Sequence, residues 1–253
     1  MAASHTEDED DECELGKREF WDSTYARELQ NLHLNGDEGE VWFGEEVMHT
    51  LIEWLHLLLS QHYKNDKSIA MLDVGTGNAL LPLQLAKLGY SNLTGSDYSA
   101  QSIALSKHIL QRHGQTHIQL LEDDLLQTCL TSSFDVITDK GTLDAVGLMQ
   151  DADINRAKYQ QSVWSLLKSN GLLVITSCNS TKDELCEEFC QSTEDGLIDA
   201  ASCPETDNHA QQKHVHQPHL FQYVDHVRTY PKFKFAGIEG TKVCTVAFRK
   251  LQS

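Results

Sequence analysis

Apolar positions follow two different rhythms along the chain. Up to about residue 62 they recur at helical spacing. Val47, Leu51, Leu55, Leu58 and Leu59 share one face and predict a helix from about Glu45 to Gln61. A weaker helical pattern covers about Phe20 to Leu32, and a turn follows at Asn35-Gly36-Asp37-Glu38-Gly39. From Ile69 onward, short apolar runs alternate with helical stretches. Strands are expected at Ile69–Asp73, Leu93–Ser96, Ile118–Leu121, Phe134–Thr138 and Leu172–Thr176. Helices are expected between them at Leu80–Leu88, from a cap at Ser99 to about Arg112, at about Asn155–Leu167, and at Lys182–Cys190 after Thr181.

This alternation predicts an α/β fold of Rossmann-like type, with a mostly parallel sheet and helices on both faces. Lys234–Phe235 and Val243–Phe248 read as two last strands around a Gly237…Gly240 turn, which gives a C-terminal antiparallel hairpin. Five strand–helix units and a hairpin make seven strands. The expected layout is an acidic, disordered tail over residues 1–17 and one domain over 18–253. Within that domain, 18–62 form a helical cap. Residues 191–218, rich in Gln, His, Asp, Ser and Asn, form a flexible insertion.

Composition narrows the function classes. The 253 residues carry 38 acids against 20 Lys and Arg, a formal charge of -18. No basic stripe offsets it, so nucleic acid is not an expected partner. A basic protein partner suits such a charge, and so does solubility alone. No run approaches the ~18 apolar residues of a membrane helix, and the N-terminus lacks the apolar core of a secretory signal. Seven cysteines without a CxxC read as free thiols in a reducing compartment. A cytoplasmic monomer is expected, with the nucleus also open and no membrane partner.

The candidate chemistry begins at Leu72-Asp73-Val74-Gly75-Thr76-Gly77-Asn78-Ala79, which joins the first strand to the first following helix. Two glycines let the backbone turn sharply and approach a ligand at the strand's carboxyl end. A dinucleotide site wants a third glycine where Leu80 stands. Methyltransferases want roughly D/E-x-G-x-G-x-G, which Asp73, Gly75 and Gly77 match while Ala79 replaces the last glycine. Asp97 ends the second strand, where a carboxylate can accept both ribose hydroxyls of an adenosine. Past the third strand lies Glu122-Asp123-Asp124. An acid there can accept the adenine amino group, and Asp123 is the chosen candidate.

The fourth strand leads into Asp139-Lys140-Gly141-Thr142-Leu143-Asp144-Ala145. Enzymes that methylate planar amides or base amines commonly carry Asn/Asp-Pro-Pro-Tyr/Phe at this place. Its absence argues against adenine, cytosine or glutamine as acceptor. Carboxylates at Asp139 and Asp144 suit an amine that arrives as an ammonium, and both are candidates for orienting it. Capping a short turn is an equally fitting role for Asp144.

Together these motifs resemble the translation elongation factor 1-alpha lysine methyltransferases, in particular a branch with a yeast member. The resemblance rests on Phe20-Trp21-Asp22…Tyr25, Gly39-Glu40-Val41-Trp42-Phe43-Gly44, the glycine loop through Asn78, and Thr94-Gly95-Ser96-Asp97-Tyr98-Ser99. It continues in Asp139 to Ala145, Thr176-Ser177-Cys178-Asn179, and Lys232-Phe233-Lys234-Phe235…Gly240…Val246-Ala247-Phe248. It covers most of residues 18–190 and 230–250. It implies a seven-stranded class I methyltransferase that uses S-adenosyl-L-methionine to modify a lysine ε-amine of elongation factor 1-alpha. It also implies cofactor contacts from Asn78, Tyr98 and Asp139, and a cap over the cofactor containing Trp42 and Gly44. Ala79 and the long 191–218 segment depart from the family's pattern.

Other readings carry less. Cys186, Cys190, Cys203, His209, His214, His216, His219 and His226 crowd one region, but their spacing matches no zinc pattern, and no metal is expected. A catalytically silent binding module on the same fold is disfavoured by the intact set of Gly75, Gly77 and Asp97. An NAD-linked oxidoreductase is opposed by Leu80 and the closing hairpin. A methyltransferase acting on another protein or on a small amine is the nearest alternative.

Overall fold

A computed structural model describes residues 13–131, 133–190, 221–230, 233–235, 238–240 and 243–251. Its strands are β1 (Met71–Val74), β2 (Leu93–Asp97), β3 (Gln119–Glu122), β4 (Phe134–Lys140), β5 (Leu167–Ser177), β6 (Phe221–His226), β7 (Phe233–Phe235), β8 (Ile238–Gly240) and β9 (Cys244–Lys250). Its helices are α1 (Arg18–Asn35), α2 (Glu45–His62), α3 (Leu80–Lys87), α4 (Ala100–Arg112), α5 (Thr142–Val146), α6 (Ala152–Leu166) and α7 (Lys182–Phe189).

Seven strands form one sheet in the order β3-β2-β1-β4-β5-β9-β6. The pairs among β1 to β5 are parallel, and β9 runs antiparallel to both β5 and β6. The order reverses direction at β1 and β4. In a parallel sheet that reversal opens a crevice at the carboxyl ends of the two strands, where ligands bind.

Successive residues of the central strands feed two cores. Met71, Val136, Leu172, Val174 and Ala247 pack on one face with α2, α3 and α4. Leu72, Val74, Ile137, Leu173, Ile175, Val246 and Phe248 pack on the other with α5, α6 and α7. A strand buried on both sides reads as a continuous apolar run, which is why these strands are short and hydrophobic in the sequence. Ser99 caps α4 as expected, and Thr181 with Glu184 forms a reciprocal capping box at α7. No helix among the described residues is long and apolar enough to cross a membrane.

Three expectations need correction. The antiparallel pair that closes the sheet is β6 with β9, whereas Phe233–Phe235 and Ile238–Gly240 pair only with each other. The strand Phe-Gln-Tyr-Val-Asp-His escapes a hydrophobicity reading because it lies at the sheet edge, half-exposed past Phe221. Residues 13–17, assigned to the tail, are ordered: Trp21 Nε1 donates to the Leu15 carbonyl at 2.8 Å, and Gly16 is pressed against Leu148. Thirdly, α5 follows β4 directly, at a place where no helix was expected. Residues 1–12 of the tail and the whole 191–218 insertion lie outside the described residues, as do Cys203, His209, His214, His216 and His219.

Candidate active site

The turn between β1 and α3 is built by two glycines in left-handed backbone, Gly75 (φ 60°) and Gly77 (φ 58°). A Cβ at Gly75 would sit 2.0 Å from Thr142 Oγ1, and one at Gly77 would sit 2.8 Å from the Tyr25 hydroxyl. Both positions therefore need glycine for conformation and for space. Ala79 also adopts positive φ (55°) just ahead of α3. Its methyl group is fully buried in the core, which at about 0.8 kcal/mol offsets part of a strain of roughly 1–2 kcal/mol.

Two aspartates organise this turn differently. Asp97 Oδ2 accepts the Gly77 N–H at 3.0 Å and Oδ1 accepts the Ser99 N–H at 2.9 Å. The carboxyl lines the cavity described below. Burial pushes its pKa up, against the pull of those N–H bonds. Asp73 accepts the hydroxyls of Thr76 (2.7 Å) and Thr138 (2.8 Å). Burial raises it to about 6. Expected as a cofactor contact, Asp73 is not on the cavity wall; it braces the turn from the sheet side, since both its oxygens face neighbouring side chains.

A cavity of about 220 Å³ opens at the crevice. Gly75, Thr76, Gly77, Asn78, Asp97 and Tyr98 line it from β1 and β2. Gly141, Thr142, Asp144, Cys178 and Asn179 line it from β4 and β5. Leu15, Trp21, Tyr25, Trp42 and Phe43 line it from the N-terminal segments. The Trp21 and Trp42 rings meet at 4.9 Å. Asn78 Nδ2 donates to the carbonyls of Glu38 (3.2 Å) and Glu40 (3.0 Å), and Glu28 accepts the Glu40 N–H at 3.1 Å. These bonds tie the segment between α1 and α2 to the glycine turn.

The structure redistributes the other expected site residues. Trp42 is on the wall, but Gly44 is not; it precedes α2 with φ 88° and turns the chain into that helix. Asp124, not Asp123, reaches the wall beyond β3. Asp123 Oδ1 is taken by the Cys129 N–H at 3.0 Å. Asp139 is 1% exposed and off the wall. Its carboxylate accepts the N–H groups of Thr142 (2.9 Å) and Leu143 (3.0 Å) and the Tyr159 hydroxyl (2.7 Å). It thus caps α5 and holds no free face for an amine. Burial pushes it up to about 7, with the Asp144 charge adding to the shift and the Tyr159 bond opposing it.

Asp144 does line the cavity. It accepts the Ser177 hydroxyl and, at 2.8 Å, the Cys178 N–H. Lys140, Cys178 and Asn179 line the same cavity without having been singled out for chemistry. Their position was a usable signal, because the last two follow β5 directly and Lys140 ends β4. Burial, then the Asp144 charge, pushes the Cys178 thiol up to about 12. Among the described residues, no group of three His, Cys, Asp or Glu side chains is placed to hold a metal ion.

The residues present fit an adenosine-bearing cofactor. The glycine turn lies on the cavity wall, with its backbone exposed to the space a ligand would fill. The Tyr98 hydroxyl and the Trp42 indole N–H, both from wall residues, are buried without a partner among the described residues. Such orphans are costly unless a ligand completes them.

Comparison with known proteins agrees with this geometry. Residues 65–236 match a family model described as a methyltransferase domain. Over 239 residues the chain is 38% identical to EEF1A lysine methyltransferase 2 of Homo sapiens, a match covering 94% of this chain and 87% of that protein. It is 32% identical over 254 residues to the protein-lysine N-methyltransferase efm4 of Schizosaccharomyces pombe, covering 94% of each. In fold it resembles magnesium protoporphyrin IX methyltransferase from Synechocystis PCC 6803, solved with bound SAM (TM-score 0.56, 13% identity, 92% of this chain and 94% of that one).

Proposed function

Since the chain belongs to the protein-lysine N-methyltransferase family that includes EEF1A lysine methyltransferase 2, we propose that it methylates a lysine ε-amine of translation elongation factor 1-alpha, with S-adenosylmethionine as donor. The observation that carries the reading is the Asp97 carboxylate, bonded to the Gly77 N–H at the mouth of the sheet crevice. Asp97 would hold the ribose hydroxyls. Tyr98 and Asp124 would flank the adenine, and Gly75 to Asn78 the amino-acid tail. When bound, the cofactor supplies a methyl group on a sulfonium, already a strong leaving group.

The protein's part is then placement more than acid–base power. A lysine amine has a reference pKa near ~10.4 and must react uncharged. Asp144 attracts the amine as an ammonium and orients its N–H groups. Ser177 and the Cys178 N–H fix that carboxylate in turn. Asp139 acts one step further back, by capping the helix that carries Asp144. Trp21, Trp42 and Phe43 keep water from the reacting end. The charge of -18 favours a basic protein over an acidic one. We place the enzyme in the cytoplasm as a monomer, in keeping with its free cysteines.

The test is methylation of a cell lysate with labelled cofactor, followed by mass spectrometry. Label on a lysine of elongation factor 1-alpha is expected. Label on RNA, a small molecule or a different protein would overturn the substrate. No heat of binding with S-adenosylmethionine at high micromolar concentration would point to a silent module instead.

A further inference from the structure

Lys140 is the one cation among the described residues that line the cavity. The acidic side chains on that wall are Asp97, Asp124 and Asp144. Lys140 is the last residue of β4, whose Asp139 pairs with Val74 of β1, so it lies beside the glycine turn. Its Nζ donates to the Trp42 carbonyl at 3.2 Å and sits 5.5 Å from the centre of the Phe43 ring. No carboxylate among the described residues pairs with it directly. An ammonium has three donors, and the backbone carbonyl uses one. Burial draws its pKa down, while the charges of Asp73 and Asp139 draw it up. A half-buried ammonium without an ion-pair partner destabilises the folded chain unless a ligand completes it.

The proposed donor supplies such a partner. Its amino-acid tail ends in a carboxylate, which the acids on the wall repel. Arg18 is committed elsewhere: its guanidinium lies 4.9 Å over the Tyr98 ring, bonds the Tyr98 carbonyl, and faces Asp22 at 3.6 Å. We propose that Lys140 is the carboxylate anchor of the site, its Nζ pairing with the carboxylate of the ligand's amino-acid tail. The assignment rests on the cofactor reading above. It gives Lys140 a role in binding and none in accepting the methyl group.

Two ligands isolate that contact. S-adenosylhomocysteine carries the carboxylate, and S-adenosyl-3-thiopropylamine is the same molecule without it. Calorimetric titration of the full chain should show the first binding roughly ten- to a hundredfold more tightly, the range of a hydrogen-bonded charge. In Lys140→Met that preference should vanish. Affinity for S-adenosylhomocysteine should fall by the same factor, and affinity for the decarboxylated ligand should hold, which also reports a folded variant. Lys140→Arg should keep most of the preference. Equal weakening of both ligands in Lys140→Met, or weakening of neither, overturns the anchor. A wild-type protein that binds neither ligand overturns the cofactor reading itself, and the anchor with it.

Discussion

The main-chain N–H of Gly77 donates to the carboxylate of Asp97 at 3.0 Å, and this bond joins the turn after β1 to the end of β2. The second carboxylate oxygen is held by the Ser99 N–H. The Ser102 hydroxyl also bears on this carboxyl, and a carboxylate has about four lone-pair sites, so acceptor capacity remains for a ligand hydroxyl. One side chain thereby shapes the glycine turn and, in the proposed function, is the acceptor for the ribose.

Asp97→Ala should weaken S-adenosylhomocysteine by roughly 1–3 kcal/mol, about five- to 150-fold, the scale of lost hydrogen bonds to a charged group. Calorimetric titration measures it directly. Wild-type affinity in this variant would remove Asp97 from the ribose.

That Asp97 reaches the cavity wall and Asp139 does not has a physical basis. A carboxylate at the end of a parallel strand sits at the ligand crevice by topology, so chain position alone singles out Asp97. Asp139 occupies an equivalent strand end, but the N–H groups of Thr142 and Leu143 turn back onto it. That capture depends on α5, a five-residue helix too short for its single apolar pair, Leu143 and Val146, to announce it. Asp123 and Asp124 differ by one residue, and the Cys129 N–H decides which of them turns away. The strand–helix order was legible because both sheet faces are buried and the apolar runs are unmistakable. The edge strand Phe221–His226 was not, because half-exposed positions carry polar residues.

Gly75→Ala tests the tight approach of β1 and α5. Its Cβ would come within 2.0 Å of Thr142 Oγ1. The variant should lose roughly 2 kcal/mol or more of stability, combining overpacking with left-handed strain. Adding Thr142→Ala removes the hydroxyl and should restore part of that loss. Urea unfolding of the two single variants and the double variant gives the coupling. Additive losses would show that Gly75 is needed only for its φ.

Asp144→Asn separates chemistry from cofactor binding. Its carboxylate is held on the cavity wall by Ser177 and Cys178, and the proposed function sets it against the amine. Turnover should fall by roughly ten- to a hundredfold, the value of a charged hydrogen bond. Affinity for S-adenosylhomocysteine should change by less than about twofold, because the proposed contact is with the amine. Unchanged turnover, measured with labelled cofactor, ends the orienting role.

Asp139 makes a prediction about stability and pH. Burial raises its folded value to about 7, above the ordinary carboxylate value it has in the unfolded chain. The folded protein therefore holds this proton more tightly. The stability linked to it is whole below the unfolded value, near pH ~3.9, and is lost as pH rises through about 7. Asp73, raised to about 6, contributes with the same sign. Asp139→Asn stays neutral throughout and removes only the Asp139 part, leaving Asp73 and every surface carboxylate as background shared with the wild type. The difference in Tm, wild type minus variant, should therefore fall between about pH 4 and about pH 7 and level off above that. Scanning calorimetry of both proteins across that range measures it. A constant difference would mean that the N–H groups of Thr142 and Leu143 and the Tyr159 hydroxyl fully offset the burial. A rising one would mean that they outweigh it, and that the site holds Asp139 as a carboxylate throughout.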